Sequence, residues 1–96
     1  MRVGGFEWDR GNRHKCQKHG VSIREIEYLF SNTPCVAPDI AHSQAEERFL
    51  AIGRTEEGRA LFVVFTLRGP LIRPLSARYM HAAEVRRYEE GSETGE

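Results

Sequence analysis

The stretch LFVVFTLRGPLIRPLSAR, residues 61–78, opens with the most apolar run of the chain, Leu61 to Phe65. It turns at Arg68, Gly69 and Pro70 and leaves through a segment that mixes basic and apolar residues. The opening run is β-branched and aromatic, too short for a helix of its own, and flanked by Gly58 and Gly69, so it reads as a buried strand. The segment after the turn reads as its antiparallel partner, one face in the core and the other offering Arg73 and Arg78. Guanidinium groups held out by a sheet suit an anionic partner. Solvated arginines on a strand face are the plainer explanation.

Upstream, Arg48 to Arg54 alternates well enough for a further strand, and Thr55–Gly58 (TEEG) reads as a hairpin turn. Three antiparallel strands joined by tight turns make a meander. Pro74 lacks an N–H, so its side of the last strand is expected to lack a neighbour. Val3 to Trp8 (VGGFEW) is a short strand candidate at an edge or lead-in, with Phe6 and Trp8 on one face and Glu7 on the other. Asp9 can cap a helix running to about His19 and ended by Gly20. That helix has almost no apolar stripe: Asn12, Cys16 and His19 share one side. Core burial alone does not hold so polar a helix, which is either marginal or there to present groups.

Ser22 with Glu25 three residues on is a capping box, and Ile23, Ile26, Leu29 and Phe30 give the next helix a core face that stops before Pro34. Residues 31–45 read as a long irregular stretch, a kind that is often functional or mobile. A surface helix is expected from about His81 to Glu90. The expectation is thus an α+β fold over residues 1–90: a three-strand meander plus the N-terminal strand, packed by two N-terminal helices and one C-terminal helix. Residues 91–96 (GSETGE) read as a disordered acidic tail.

The formal net charge is zero, but its layout is uneven. Arg2, Arg10, Arg13, Lys15 and Lys18 crowd the first 20 residues, and Arg68, Arg73, Arg78, Arg86 and Arg87 lie between 68 and 88. Glu89, Glu90, Glu93 and Glu96 close the chain, so a basic face is compatible with a neutral total. The cations are 12 Arg and 2 Lys; arginine suits phosphate, and a GC-rich genome would give the same bias. No signal peptide and no apolar run of about 18 residues is found, which points to a cytoplasmic protein without a membrane span. Cys16 and Cys35 do not make a disulfide framework.

Several segments together carry a family likeness. They are FEWD (Phe6–Asp9), GNxxK (Gly11–Lys15), KHGVS (Lys18–Ser22), ERF…IGRTEEGR (Glu47–Arg59), LFVVFT (Leu61–Thr66), IRxxSAR (Ile72–Arg78) and ExxxYEE (Glu84–Glu90). In their order and spacing the chain resembles BrnT, the ribonuclease toxin family of type II bacterial toxin–antitoxin pairs. Three positions depart from the family pattern: Cys16 where Asn is frequent, Pro74–Leu75 where Val-Ile is usual, and Tyr79 where Asp is common. The resemblance implies a RelE-like fold, metal-independent RNA cleavage that inhibits translation, and no cofactor. It also implies a BrnA-like antitoxin with a ribbon-helix-helix region, through which the pair would hold operator DNA. That antitoxin would cover the basic face or lie along an open edge strand.

Metal-free RNA cleavage needs a base for the 2′-OH, fixed positive charge for the phosphorane and an acid for the leaving 5′-oxygen. Arg73 and Arg78 are the candidates for charge stabilisation, against a solvated face or a structural salt bridge. His19 is the candidate acid or base, against a residue that satisfies helix carbonyls and packs on Trp8. Glu47 and Arg48 open a strand and form either an ion pair aimed at the site or a plain surface pair. Lys15, Lys18 and Arg54 are candidates for phosphate contact, and Trp8 and Tyr88 for base stacking, with solvated charge and core packing as the alternatives. HKCQKH (His14–His19) superficially resembles a metal-ligand set, but His14 and Cys16 leave different sides of a helix and a fourth ligand is missing. A catalytically degenerate toxin that only grips its antitoxin, and a generic basic nucleic-acid-binding domain, are the competing readings.

Overall fold

In the computed structural model, which describes residues 4–43 and 45–94, the chain runs α1 (Arg10–Gln17), α2 (Ile23–Ser31), β1 (Cys35–Pro38), a 3₁₀ turn (Ile40–His42), β2 (Phe49–Arg54), β3 (Ala60–Arg68), β4 (Leu71–Tyr79) and α3 (Ala82–Thr94). The sheet is antiparallel throughout, in the order β1-β2-β3-β4. The β2-β3-β4 meander stands as expected. Gly69, at φ +59, supplies the left-handed residue that a two-residue hairpin between twisted strands requires.

The fourth strand is not the N-terminal one. Residues expected to be irregular, Cys35–Pro38, pair with β2 instead, from Cys35 opposite Ile52 to Pro38 opposite Phe49. All four are exposed, so this strand carries no buried face whose periodicity a sequence would display. Val3, where the expected strand begins, lies outside the described residues; the described part of the segment makes one parallel bridge, Phe6 to Ile72, in which Glu7 N–H donates to Ile72 O at 2.9 Å and Ile72 N–H to Gly5 O at 2.9 Å. Glycines at 4 and 5 shorten it to a lead-in that lies along β4 without extending the sheet.

One face of the sheet makes the core. Ala51, Leu61, Val63, Phe65, Ile72 and Ala77 meet Cys16 of α1, Val21, and Ile26, Leu29 and Phe30 of α2. Phe65, fully buried, sits edge-on to Phe30 at 4.9 Å and stacks on Phe49 at 5.4 Å. α2 starts at the Ser22 capping box, with Glu25 N–H bonded to Ser22 Oγ and Ser22 N–H to Glu25 Oε1. It comes so close to β2 that a Cβ on Gly53 would lie 3.2 Å from Leu29 Cγ.

α1 is held by polar bonds. Asp9 caps it by accepting from Asn12 N–H at 3.0 Å, and Asn12 Oδ1 accepts from Asp9 N–H at 2.7 Å. The Asn12 amide then donates to Glu7 O and to Pro74 O, each at 2.9 Å. Asn12 and Cys16 are buried, whereas His19 is exposed beyond the helix end. The outer side of Pro74 therefore does have a neighbour: its carbonyl receives the Asn12 amide, where its missing N–H has nothing to give.

The free edge of the sheet is β1. Asp39 N–H points inward to Arg48 O at 2.8 Å, so by alternation Val36 and Pro38 face outward. Pro38 has no N–H, and Val36 is left as the single outward donor of this strand, a poor template for an added strand. α3 runs past the expected Glu90 to Thr94; the last two residues of the expected acidic tail lie outside the described residues. Among the described residues no helix is long and apolar enough to cross a membrane.

Candidate active site

In a regular strand, residues five apart leave on opposite faces, so Arg73 and Arg78 would be separated by the whole sheet. A β-bulge prevents this. Ser76 pairs with Val64 and Pro74 with Phe65, which leaves Leu75 as the extra residue. Beyond the bulge the parity resets: Arg73 pairs with Thr66 and Arg78 with Phe62, both on the face opposite α2. The bulge falls at Pro74–Leu75.

On that face lies a cleft of about 550 Å³. Its floor is Leu50, Phe62, Val64, Leu75 and Ser76, and its rim carries Lys15 from α1, Arg73 from β4, and Asp39, His42 and Arg48 from the connection between β1 and β2. That connection is closed by its own polar groups. Ser43 Oγ donates to Asp39 O at 2.7 Å and accepts from Arg48 N–H at 2.8 Å, while Thr66 Oγ1 reaches up from β3 to Glu47 O at 2.6 Å. Within it, His42 Nδ1 lies 3.0 and 3.1 Å from the two oxygens of Asp39, whose side chain is only 12% exposed. A carboxylate there selects the tautomer with the proton on Nδ1 and leaves Nε2 as the free nitrogen.

The cations of the cleft are not equivalent. Arg73 is pinned between Asp9 at 2.9 Å and Glu7 at 3.1 Å and is 18% exposed. The hydrogen bond to Asp9 holds its pKa above the ordinary value against partial burial. Asp9 in turn stays below the usual carboxylate range, first through the Asn12 N–H and then through Arg73. Arg73 is thus rigid but its charge is compensated. Among the described residues Lys15 and Arg48 make no ion pair, so the uncompensated positive charge of the rim is theirs.

Arg78 lies past the edge of this cleft. Its guanidinium grips Glu84 of α3 with two bonds of 2.8 Å and covers the Phe62 ring at 4.7 Å from the centroid. The Arg78 fork and the His81 N–H bring the Glu84 carboxyl down to about 2. Phe62 is shared with a smaller cleft of about 310 Å³ under α3, lined also by Ile52, Met80, Arg87 and Tyr88.

Of the sequence candidates, Lys15, Arg48 and Arg73 come together in the large cleft, with Arg78 and Tyr88 next to it. The others are elsewhere. His19 is exposed in the turn after α1, beside Gly20, whose carbonyl accepts from Tyr79 OH on the helix-covered face. Lys18 is the exposed C-cap of α1. Glu47 is exposed and joins the connection through its carbonyl, and Arg54 pairs with Glu89 of α3. Trp8 packs against the core and donates Nε1–H to Glu27 at 2.9 Å. His42 is the functional candidate that sequence reasoning misses. Its one trace is an Asp-x-x-His spacing, Asp39 to His42, inside the stretch that reads as long and irregular. No group of three or more His, Cys, Asp and Glu among the described residues is placed to hold a metal ion.

The family model of the ribonuclease toxin BrnT of type II toxin–antitoxin systems matches residues 8–84. The chain belongs to the BrnT family. No curated protein matches it significantly. The matched span takes in every rim residue of the large cleft and ends at Glu84, the carboxylate that holds Arg78. Membership in the BrnT family implies an RNA target and an antitoxin partner. Cys16 fills the core at 0% exposure. Tyr79 donates to Glu25 at 2.7 Å beneath the Arg59 guanidinium, 3.5 Å from its ring centroid.

Proposed function

We propose that this chain is an endoribonuclease toxin of RelE-like fold that cuts RNA in the large cleft, without a metal, by attack of the 2′-oxygen on the adjacent phosphorus. The observation that carries the proposal is the gathering of Lys15, Arg48 and a doubly anchored Arg73 around one 550 Å³ cleft beside an oriented imidazole. Lys15 and Arg48 draw in the backbone phosphates. Arg73, already fixed by Glu7 and Asp9, meets the charge that develops on the phosphorane without reorganising. Arg78, locked on Phe62 by Glu84, offers a flat surface next to the cleft on which a flanking base can stack. Cleavage of messenger RNA in the cytoplasm would stop translation.

A BrnA-like ribbon-helix-helix antitoxin would neutralise the toxin by covering this basic face, since the outer edge of β1 offers a single donor, and would carry the pair to operator DNA. Purified protein incubated with RNA in EDTA tests the reading. Discrete products ending in 2′,3′-cyclic phosphate are expected, with growth arrest on expression without an antitoxin. Intact RNA at micromolar protein and normal growth would refute it. A second reading, a degenerate toxin acting only as an antitoxin-bound co-repressor, draws on the compensation of both strand arginines by carboxylates. It predicts tight antitoxin binding by a protein that cuts nothing.

A further inference from the structure

His42 and Asp39 stand where the proposed chemistry needs a proton acceptor, and the geometry points to His42 as the catalytic base, with Asp39 as its positioning residue. The inference rests on the ribonuclease reading above and assigns its acid–base group. Three observations carry it. The Asp39 carboxylate, largely enclosed by the fold, lies 3.0 Å from Nδ1 of the mostly exposed ring, a contact that orients the ring and favours the tautomer with its proton on Nδ1. Asp39 is itself fixed through its backbone, N–H to Arg48 O at 2.8 Å and carbonyl to Ser43 Oγ at 2.7 Å. Nε2 has no partner among the described residues, and the ring lines the same cleft as the cations expected to hold the phosphate. The charged groups around that cleft are Asp39 from the same connection, Arg48 at the entry to β2, Lys15 from α1 and Arg73 from β4.

The step balances without a co-reactant other than water. Nε2 takes the proton of the 2′-OH as O2′ bonds to phosphorus. The P–O5′ bond breaks, the leaving 5′-oxygen takes a proton from water, and the imidazolium returns its own to solvent. The products are a 2′,3′-cyclic phosphate and a 5′-hydroxyl.

The test measures cleavage of a labelled oligoribonucleotide in EDTA, alongside binding of the same sequence made wholly of 2′-deoxynucleotides. H42Q is expected to lose on the order of 10²–10⁴-fold in rate with affinity for the deoxy oligomer unchanged. H14Q, an exposed histidine on α1 outside the cleft, is the control and should cut normally. Free imidazole should restore part of the rate of H42A, which a merely structural histidine would not allow. D39N should lose at least about tenfold in kcat at unchanged KM, and D39E should recover part of it. If H42Q cuts within about threefold of the parent, well below the general-base range, the assignment falls while the ribonuclease reading stands. The assignment is equally overturned if H19Q, and not H42Q, loses activity. If the parent binds the deoxy oligomer and cuts no RNA, both fall.

Discussion

Replacing Asn12 with alanine tests how a helix with almost no apolar face stays in place. Asn12 is 3% exposed and makes three side-chain bonds: from Asp9 N–H, to Glu7 O and to Pro74 O. The Pro74 bond is buried, and alanine leaves its carbonyl without a donor, a loss of about 1–3 kcal/mol. The half-buried bonds to Glu7 and Asp9 add about 0.5–1 kcal/mol each. Together this comes to about 2–5 kcal/mol, a large fraction of the roughly 5–15 kcal/mol available to a domain of this size. At about 4–8 °C per kcal/mol, the thermal midpoint should fall by roughly 8–40 °C.

Thermal unfolding followed by circular dichroism gives the number. Amide exchange should show α1 losing protection ahead of the strands, and Lys15 leaves the cleft with it. N12D separates the two halves of the bond set: it keeps the acceptor for Asp9 N–H and loses both donors, so it should cost at least as much as alanine. A midpoint within about 3 °C of the parent for N12A would show that Cys16 burial alone carries α1, and the reasoning would be wrong.

Phe65→Ala removes a fully buried ring packed between Phe30 and Phe49 and should cost about 3–5 kcal/mol in urea unfolding, leaving the protein barely folded. One of the two thiols should react with a disulfide reagent in the native state and both after denaturation, because Cys35 is exposed whereas burial shuts Cys16 in and raises it to about 11. The Glu84 carboxyl, depressed below 4.5 by Arg78, contributes stability that is fully present above 4.5 and lost as pH falls through about 2. Its carboxyl carbon should titrate near 2 in the parent and return toward 4.5 in R78A, as followed by NMR. K15A and R48A should each lower the slope of log affinity against log salt for single-stranded RNA by about 0.7, while affinity falls alike for all sequences.

The meander, the capped helices and the core can be read from the chain alone. Each of these rests on a local rule: the apolar run 61–65 between turn residues, Ser22 with Glu25, and the Ile26, Leu29 and Phe30 stripe all declare themselves within a few positions. Membership in the BrnT family is legible for the same reason, as ordered short segments along the chain. Strand β1 is not legible, because a strand exposed on every residue has no hydrophobic period to read. The cleft is only half legible. Arg73 and Arg78 share a face because of an extra residue in β4, and a bulge is a property of how two strands pair. His42 faces Lys15 and Arg73 across a gap of many residues, and only the closing of the 39–48 connection onto β3 and of α1 onto the β4 edge brings them to one rim. Local chemistry fixed the elements; pairing register and long-range polar contacts, which no short window contains, fixed which side chains meet.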